Sequence, residues 1–249
     1  MSGGKGLSLE KNMDFRYTRK GTTYIRRSWH ISMFNQQKVL IATSVTAEQK
    51  AIQAGLGRDA QVDVMTIGVG PMSAAAYTAK ALASKDYDLV ISMGIAGGFK
   101  EKAAVESLVV ADALIAADLG AESSDGFLPL DDLGFGSIYL RPDQEMVEQV
   151  VSTLFAAYPF VHQGAILTRA TVTGTEQTAS RLIKRYPDAV AEAMEGFGVG
   201  TAAEAFGVPF LEIRSISNEV GPRNREAWKL KESLSLLTKV SSVLWRDYT

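Results

Sequence analysis

Two carboxylates and one amide stand where a chain of this kind can do chemistry. Glu195 follows a strand-like run and opens a stretch of small residues with helical character (AEAMEGFGVGTAAEA, 191–205). Asn218 closes another strand-like run (PFLEIRSIS, 209–217), and Gly221-Pro222, Arg223, Arg225 and Trp228 follow it. Glu48 lies at the start of the first helical stretch, just after the run KVLIAT at 38–43. Ligands of open α/β sheets gather at the carboxyl ends of strands, so all three polar groups occupy ligand-bearing positions. A carboxylate there can act as a general base or accept hydrogen bonds from a sugar, and an amide can donate and accept at once. Taken alone, Glu48 reads first as a partner of the helix dipole, with Thr46 in the same turn.

Other chemistries are excluded by what the 249-residue chain lacks. It has no cysteine, which removes disulfides, thiolate nucleophiles and Cys-ligated metals. Its two histidines, His30 and His162, have no His or carboxylate at ligand spacing, so neither a metal nor a cofactor is expected. The net charge of −2 argues against a nucleic-acid partner. No apolar run approaches the roughly 18 residues of a membrane span, and no secretory signal is recognisable. A carboxylate-driven reaction in a reducing cytoplasm is the simplest expectation.

The elements that must position these groups alternate along the chain. Strand-like runs cover 38–43, 61–67, 88–93, 107–116, 163–168, 190–194 and 209–217. Helical patterns lie at 46–56, 71–85, 143–157, 175–186, 196–206 and 226–245. Such alternation predicts one α/β domain over residues 33–249, with a mainly parallel sheet covered by helices. Segment 117–142 breaks the rhythm with Gly, Ser, Asp and Pro and reads as a long, functional loop or a bend between strands. In the last helix Leu230, Leu234, Leu237 and Leu244 share one face, with Trp228 nearly opposite. Residues 1–32 carry seven Lys/Arg against Glu10 and Asp14 and show no clear periodicity. They read as a disordered basic extension with Met33 as the natural start, or as a targeting arm.

Two glycine-rich segments, Gly68-Val-Gly70 and Gly94-Ile-Ala-Gly97-Gly98, are read as turns after strands. There glycine lets backbone amides approach an anion or a sugar, or simply packs strand against helix. The run GFGVG at 196–200 reads as helix packing rather than a dinucleotide fingerprint, since each helical glycine costs about 1 kcal/mol.

The order Glu48, GVG, GIAGG, AMEG and RSISN resembles the purine nucleoside phosphorylase / methylthioadenosine nucleosidase superfamily over roughly residues 38–245. The resemblance implies a three-layer α/β/α fold with a central mixed, mainly parallel, twisted sheet. Within the hydrolase branch it implies that Glu48 activates water, that Met194 and Glu195 meet the ribose, and that Asn218 stands at the base. Gly97 and Thr178 are further expected substrate contacts. Phe99, Phe127 and Phe197 are candidates for stacking on the base, and Phe127 is carried forward. A homo-oligomer, dimer or higher, is also implied.

Two departures sharpen the expectation. Asn218 stands where adenine-cleaving relatives carry an acid; its NH₂ can donate to a carbonyl O6 while its oxygen accepts from a protonated N7. A 6-oxopurine is therefore favoured over adenine. Met93 replaces an arginine that phosphorylases use for phosphate, Ile95 replaces a Ser or Thr, and no Arg precedes Arg58 in the first loop. Water is then the expected nucleophile. The tail SNEVGPRNREAW and the segment ADLGAESSDGFLPLDDLG are similar to those of hydrolases that release hypoxanthine from futalosine on the alternative menaquinone route. Such a substrate carries an aromatic carboxylate on its 5′ side. Arg223 and Arg225 could pair with it or remain solvated loop charges, while Trp228 would pack on the 5′ group. A methylthioadenosine-type nucleosidase, a phosphorylase and a silent nucleoside-binding protein are the alternatives.

Overall fold

A computed structural model describes residues 15–19, 22–26, 34, 37–57, 60–124 and 126–245. The chain divides into two units. In the first, β1 (Phe15–Arg19) pairs antiparallel with β2 (Thr22–Arg26), within the segment read as lacking regular structure. Met33 and Arg58 lie outside the described residues.

The second unit, Ser32–Arg246, holds an eight-stranded sheet. Its strands are β3 (Val39–Thr43), β4 (Val62–Thr66), β5 (Leu89–Gly98), β6 (Leu108–Ala116), β9 (Tyr139–Leu140), β10 (Val161–Thr168), β11 (Ala189–Ala193) and β12 (Phe210–Glu219). The order is β11-β10-β6-β12-β5-β3-β4, with β9 beside β6. Five pairings are parallel, whereas β6–β12, β6–β9 and β5–β11 are antiparallel. The last of these joins β11 back to β5, so five strands close into a ring.

Alternation along the strands feeds two cores. Val39, Ile41, Leu89, Ile91 and Leu108 point to one face, where α1 (Thr46–Gly55), α3 (Gln144–Ala157) and α6 (Leu230–Trp245) supply Ile52, Val150 and Leu237. Leu40, Ala42, Val90 and Val109 point to the other, against Ala74 and Ala81 of α2 (Pro71–Ser84) and Val199 and Ala203 of α5 (Gly196–Ala205). A third cluster packs α4 (Glu176–Arg185) through Ala179 and Leu182. Helices on both faces of a mixed sheet give the expected three layers.

Several expectations need correction. Gly94–Gly98 is no turn: β5 runs through it to Gly98. Asn218 lies inside β12, beside a register shift, and not beyond the strand. Segment 117–142 holds a hairpin, β7 (Gly120–Ser123) with β8 (Gly126–Pro129), then a 3-10 turn at Leu130–Leu133. The last helix begins at Leu230, which is exposed; Leu236, Val240 and Trp245 complete its buried face. By contrast, the 196–200 glycines do pack closely: a Cβ on Gly198 would stand 2.2 Å from the Pro71 carbonyl oxygen.

Candidate active site

The site forms where β5 forks. Its first half, Leu89–Ser92, is laddered to Val39–Ala42 of β3. By Gly97 it has left β3 and pairs with Glu192 of β11, while β12 follows it throughout. On the vacated side the Ile95 amide donates to Glu48 Oε1 at 2.8 Å. Glu48 Oε2 accepts from the Ser44 amide (2.9 Å), the Ser44 hydroxyl (2.7 Å) and the Val45 amide (3.2 Å). Glu48 therefore caps α1 and an orphan strand amide together, and it is 1% exposed. Gly94 makes the room: a Cβ there would lie 2.5 Å from Glu48 Oε1 and 2.7 Å from Arg214 Nη1. Both side chains thus converge on one point above Gly94.

Arg214, buried on β12, is the hub. Its Nε donates to Glu212 Oε1 (2.8 Å) and its Nη2 to Ser92 Oγ (2.9 Å), with Glu195 Oε2 at 3.6 Å from Nη2. Burial alone would favour the neutral guanidine, but Glu212, Glu195 and Glu48 outweigh it and hold Arg214 charged. Glu195 sits at the head of α5 and accepts from the Gly70 amide at 3.2 Å. Burial pushes its carboxyl above the usual carboxylate range; Arg214 and the Gly70 amide oppose this, and the charge of Glu48 adds to it. Two carboxylates and a guanidinium in one desolvated cluster can activate a water molecule and receive sugar hydroxyls.

Asn218 and Gly97 are register partners, and a Cβ on Gly97 would approach Asn218 Nδ2 to 3.2 Å. Asn218 Nδ2 donates to the Glu219 carbonyl (3.0 Å), and Oδ1 lies 2.8 Å from the Ser217 hydroxyl. One N–H and one lone pair remain for a ligand. Met194 is half-buried beside Glu195. Beyond β12, Arg223 and Arg225 are exposed, the Arg223 guanidinium lies 5.7 Å from the ring of half-buried Trp228, and Lys229 N ties the loop back to Ser217 O at 2.8 Å. This loop borders the entrance to α4, since Arg223 Cδ comes within 3.7 Å of where a Gly174 Cβ would be.

Other candidates lie differently. Thr178 is half-buried in the first turn of α4, where its amide donates to Thr175 Oγ1. Phe127 is on β8, with the Arg185 guanidinium 4.6 Å from its ring. Phe99 is buried in the third core cluster, and Phe197 is half-buried on α5. Met93 is a core side chain. Among the described residues no group of three or more His, Cys, Asp or Glu could hold a metal ion.

Sequence reasoning missed Arg214 and Glu212 as functional groups. The available signal was two opposite charges two residues apart in the apolar run FLEIRSIS, which puts them on one strand face. It also missed Glu192, buried on β11, which accepts from the Thr173 amide at 2.8 Å and from its hydroxyl, with Arg169 Nη1 at 3.7 Å.

Comparison with known proteins identifies the family and the fold. A futalosine hydrolase of Streptomyces coelicolor is 52% identical over 197 residues, 75% of this chain and 82% of the relative. One from Acidothermus cellulolyticus is 44% identical over 220 residues, 83% of this chain and 90% of the relative. The native structure of futalosine hydrolase of Helicobacter pylori superposes with a TM-score of 0.72 at 18% identity, covering 84% of this chain and 97% of that one. A putative 5′-methylthioadenosine/S-adenosylhomocysteine nucleosidase of Borrelia burgdorferi bound to adenine gives 0.71 at 22% identity, covering 83% and 98%. The family profile described as the phosphorylase superfamily matches residues 17–244, and the chain belongs to that superfamily.

Proposed function

We propose that this chain hydrolyses the N-glycosidic bond of futalosine, releasing hypoxanthine and the dehypoxanthinyl product for menaquinone formation. The observation that carries the reading is an amide, Asn218, paired with Gly97 on the strand whose Gly94 borders Glu48 and Arg214, in a chain 52% identical over 197 residues to a protein named futalosine hydrolase.

In this mechanism Glu48 takes a proton from water as the water oxygen bonds to C1′. The C1′–N9 bond breaks, its electron pair moves onto the purine, and the sugar passes through an oxocarbenium-like state. Glu195 accepts hydrogen bonds from the ribose hydroxyls, which strengthen as positive charge grows on the ring. Met194 packs on the sugar. As the electron pair moves onto the purine, N7 takes a proton from solvent water, and Asn218 uses its free N–H on O6 and its free lone pair on the resulting N7–H. Arg223 and Arg225 receive the 5′ carboxylate, with Trp228 against its ring; Gly97, Thr178 and Phe127 complete the expected contacts. No cofactor takes part. The catalytic domain is residues 33–249, and the enzyme works in the cytoplasm as a homo-oligomer, dimer or higher.

Incubation with futalosine, inosine and methylthioadenosine, with and without phosphate, followed by liquid chromatography, tests the reading. Phosphate-independent hypoxanthine release from futalosine is expected. Phosphate-dependent cleavage of inosine, adenine release from methylthioadenosine, or tight binding without cleavage would each replace it.

A further inference from the structure

Glu212 is fully buried on β12, two residues before Arg214, and the proposed reaction does not use it. Its Oε1 accepts from Arg214 Nε at 2.8 Å, while Oε2 has no hydrogen-bond partner among the described residues. The fit is close, since a Cβ on Gly196 would lie 2.0 Å from Oε2 and 2.4 Å from Oε1. Gly196 is therefore glycine because Glu212 occupies the space beside it. A buried ion pair is weak evidence for stability, because apolar residues of similar volume often serve as well. What the pair does provide is direction. With Nε held by Glu212 and Nη2 by Ser92, the guanidinium plane is fixed, with Nη2 3.6 Å from Glu195 Oε2 and Nη1 beside the Gly94 position that Glu48 Oε1 also borders.

We infer that Glu212 is a positioning residue, which locks the Arg214 guanidinium between the water-activating and ribose-binding carboxylates. The inference rests on the roles given above to Glu48 and Glu195. It also has an electrostatic consequence. The charged groups gathered here are Arg214 on the same strand, Glu195 at the head of α5 and Glu48 on α1; Ser92 of β5 and Gly196 add none. One guanidinium serves three carboxylates, so the charge of Glu212 works against ionisation of Glu195.

Two variants separate orientation from charge. Glu212→Asp keeps the charge but withdraws the carboxylate by one methylene, and kcat is expected to fall ~10²-fold, with KM for futalosine changed less than about threefold. Glu212→Gln keeps the length and an acceptor for Nε but removes the charge; the acid limb of kcat/KM is expected to move to lower pH. Both are first checked for folding by thermal melting. Nuclear magnetic resonance of ¹⁵N-arginine-labelled protein reads the clamp without turnover. A downfield, slowly exchanging Arg214 Nε–H signal is expected in the wild type and the Gln variant, and its loss in the Asp variant. Normal kcat in folded Glu212→Asp, or an unmoved acid limb together with normal kcat in Glu212→Gln, overturns the inference. So does a rapidly exchanging Nε–H in the wild type. A wild type with the protected signal but no hypoxanthine release sinks the futalosine reading and leaves the clamp standing.

Discussion

Adding a single methyl group at Gly94 tests the catalytic geometry more directly than removing a catalytic group. In Gly94→Ala the new Cβ would lie 2.5 Å from Glu48 Oε1, 2.9 Å from Glu48 Cδ and 2.7 Å from Arg214 Nη1. Ordinary contact requires nearly 1 Å more, so the carboxylate must retreat by about that distance or the strand must bend. Glu48 resists because four donors hold it. Displacement by about 1 Å is enough to cost ~10² in rate, or about 2.7 kcal/mol of transition-state stabilisation. The overpacking itself should destabilise the fold by about 1–3 kcal/mol. The assay is hypoxanthine release from futalosine by liquid chromatography, at saturating and limiting substrate, beside a thermal melt. A control, Gly57→Ala, would meet, among the described residues, only the Trp245 carbonyl oxygen at 3.5 Å, and should leave both readings near wild type. A folded Gly94→Ala protein with kcat within about threefold of wild type would show that the water is not activated at this point, whatever Glu48 does elsewhere.

Four further outcomes are expected. Glu48→Gln should lose ~10²–10⁴ in kcat, because its amide cannot accept the proton, and near-full turnover would remove it as the base. Asn218→Asp should shift the preference from 6-oxo towards 6-amino purines, measured as the futalosine-to-methylthioadenosine ratio of kcat/KM; an unchanged ratio refutes the amide's role. Arg223→Ala should raise KM for futalosine about tenfold while sparing inosine, which lacks the carboxylate, and equal effects on both would count against a 5′ contact. Glu195 should give kcat/KM an acid limb above the ordinary carboxylate range, since burial raises its pKa and it acts as the anion. Folded protein then binds that proton more tightly than unfolded protein, so stability falls as pH rises from the ordinary carboxylate value through the raised one. Glu195→Gln should therefore be at least as stable as wild type at neutral pH by calorimetry, and a marked loss would contradict the assignment.

The strands and helices were legible because their signals are local. Strand-like runs placed β3, β4, β6 and β10 to within a residue or two, and the helical patterns did the same for α1 to α5. The glycines of GIAGG misled because a turn and a crowded strand call for the same residue. What decides between them is long-range: Glu48 presses on Gly94, Val220 on Gly97 and the Ala103 carbonyl on Gly98. Arg214 escaped for a similar reason. Its meaning depends on Glu48 and Glu195, brought to its strand by α1 and the head of α5, and no local pattern announces that meeting. The 120–129 hairpin was hidden by strands of four residues each, too short to show a period.

Glu48 has a history written into its hydrogen bonds. It seals the amide that β5 exposes on parting from β3, and it finishes the first turn of α1. Stripping it away would leave four partly buried donors without their acceptor. Catalytic groups are often held at some cost to the stability of the fold. In the role proposed for Glu48, folding and turnover select the same side chain. A descendant that ceased to cleave nucleosides would first let Asn218, Arg223 or Trp228 drift, and would keep its glutamate long after the reaction had gone.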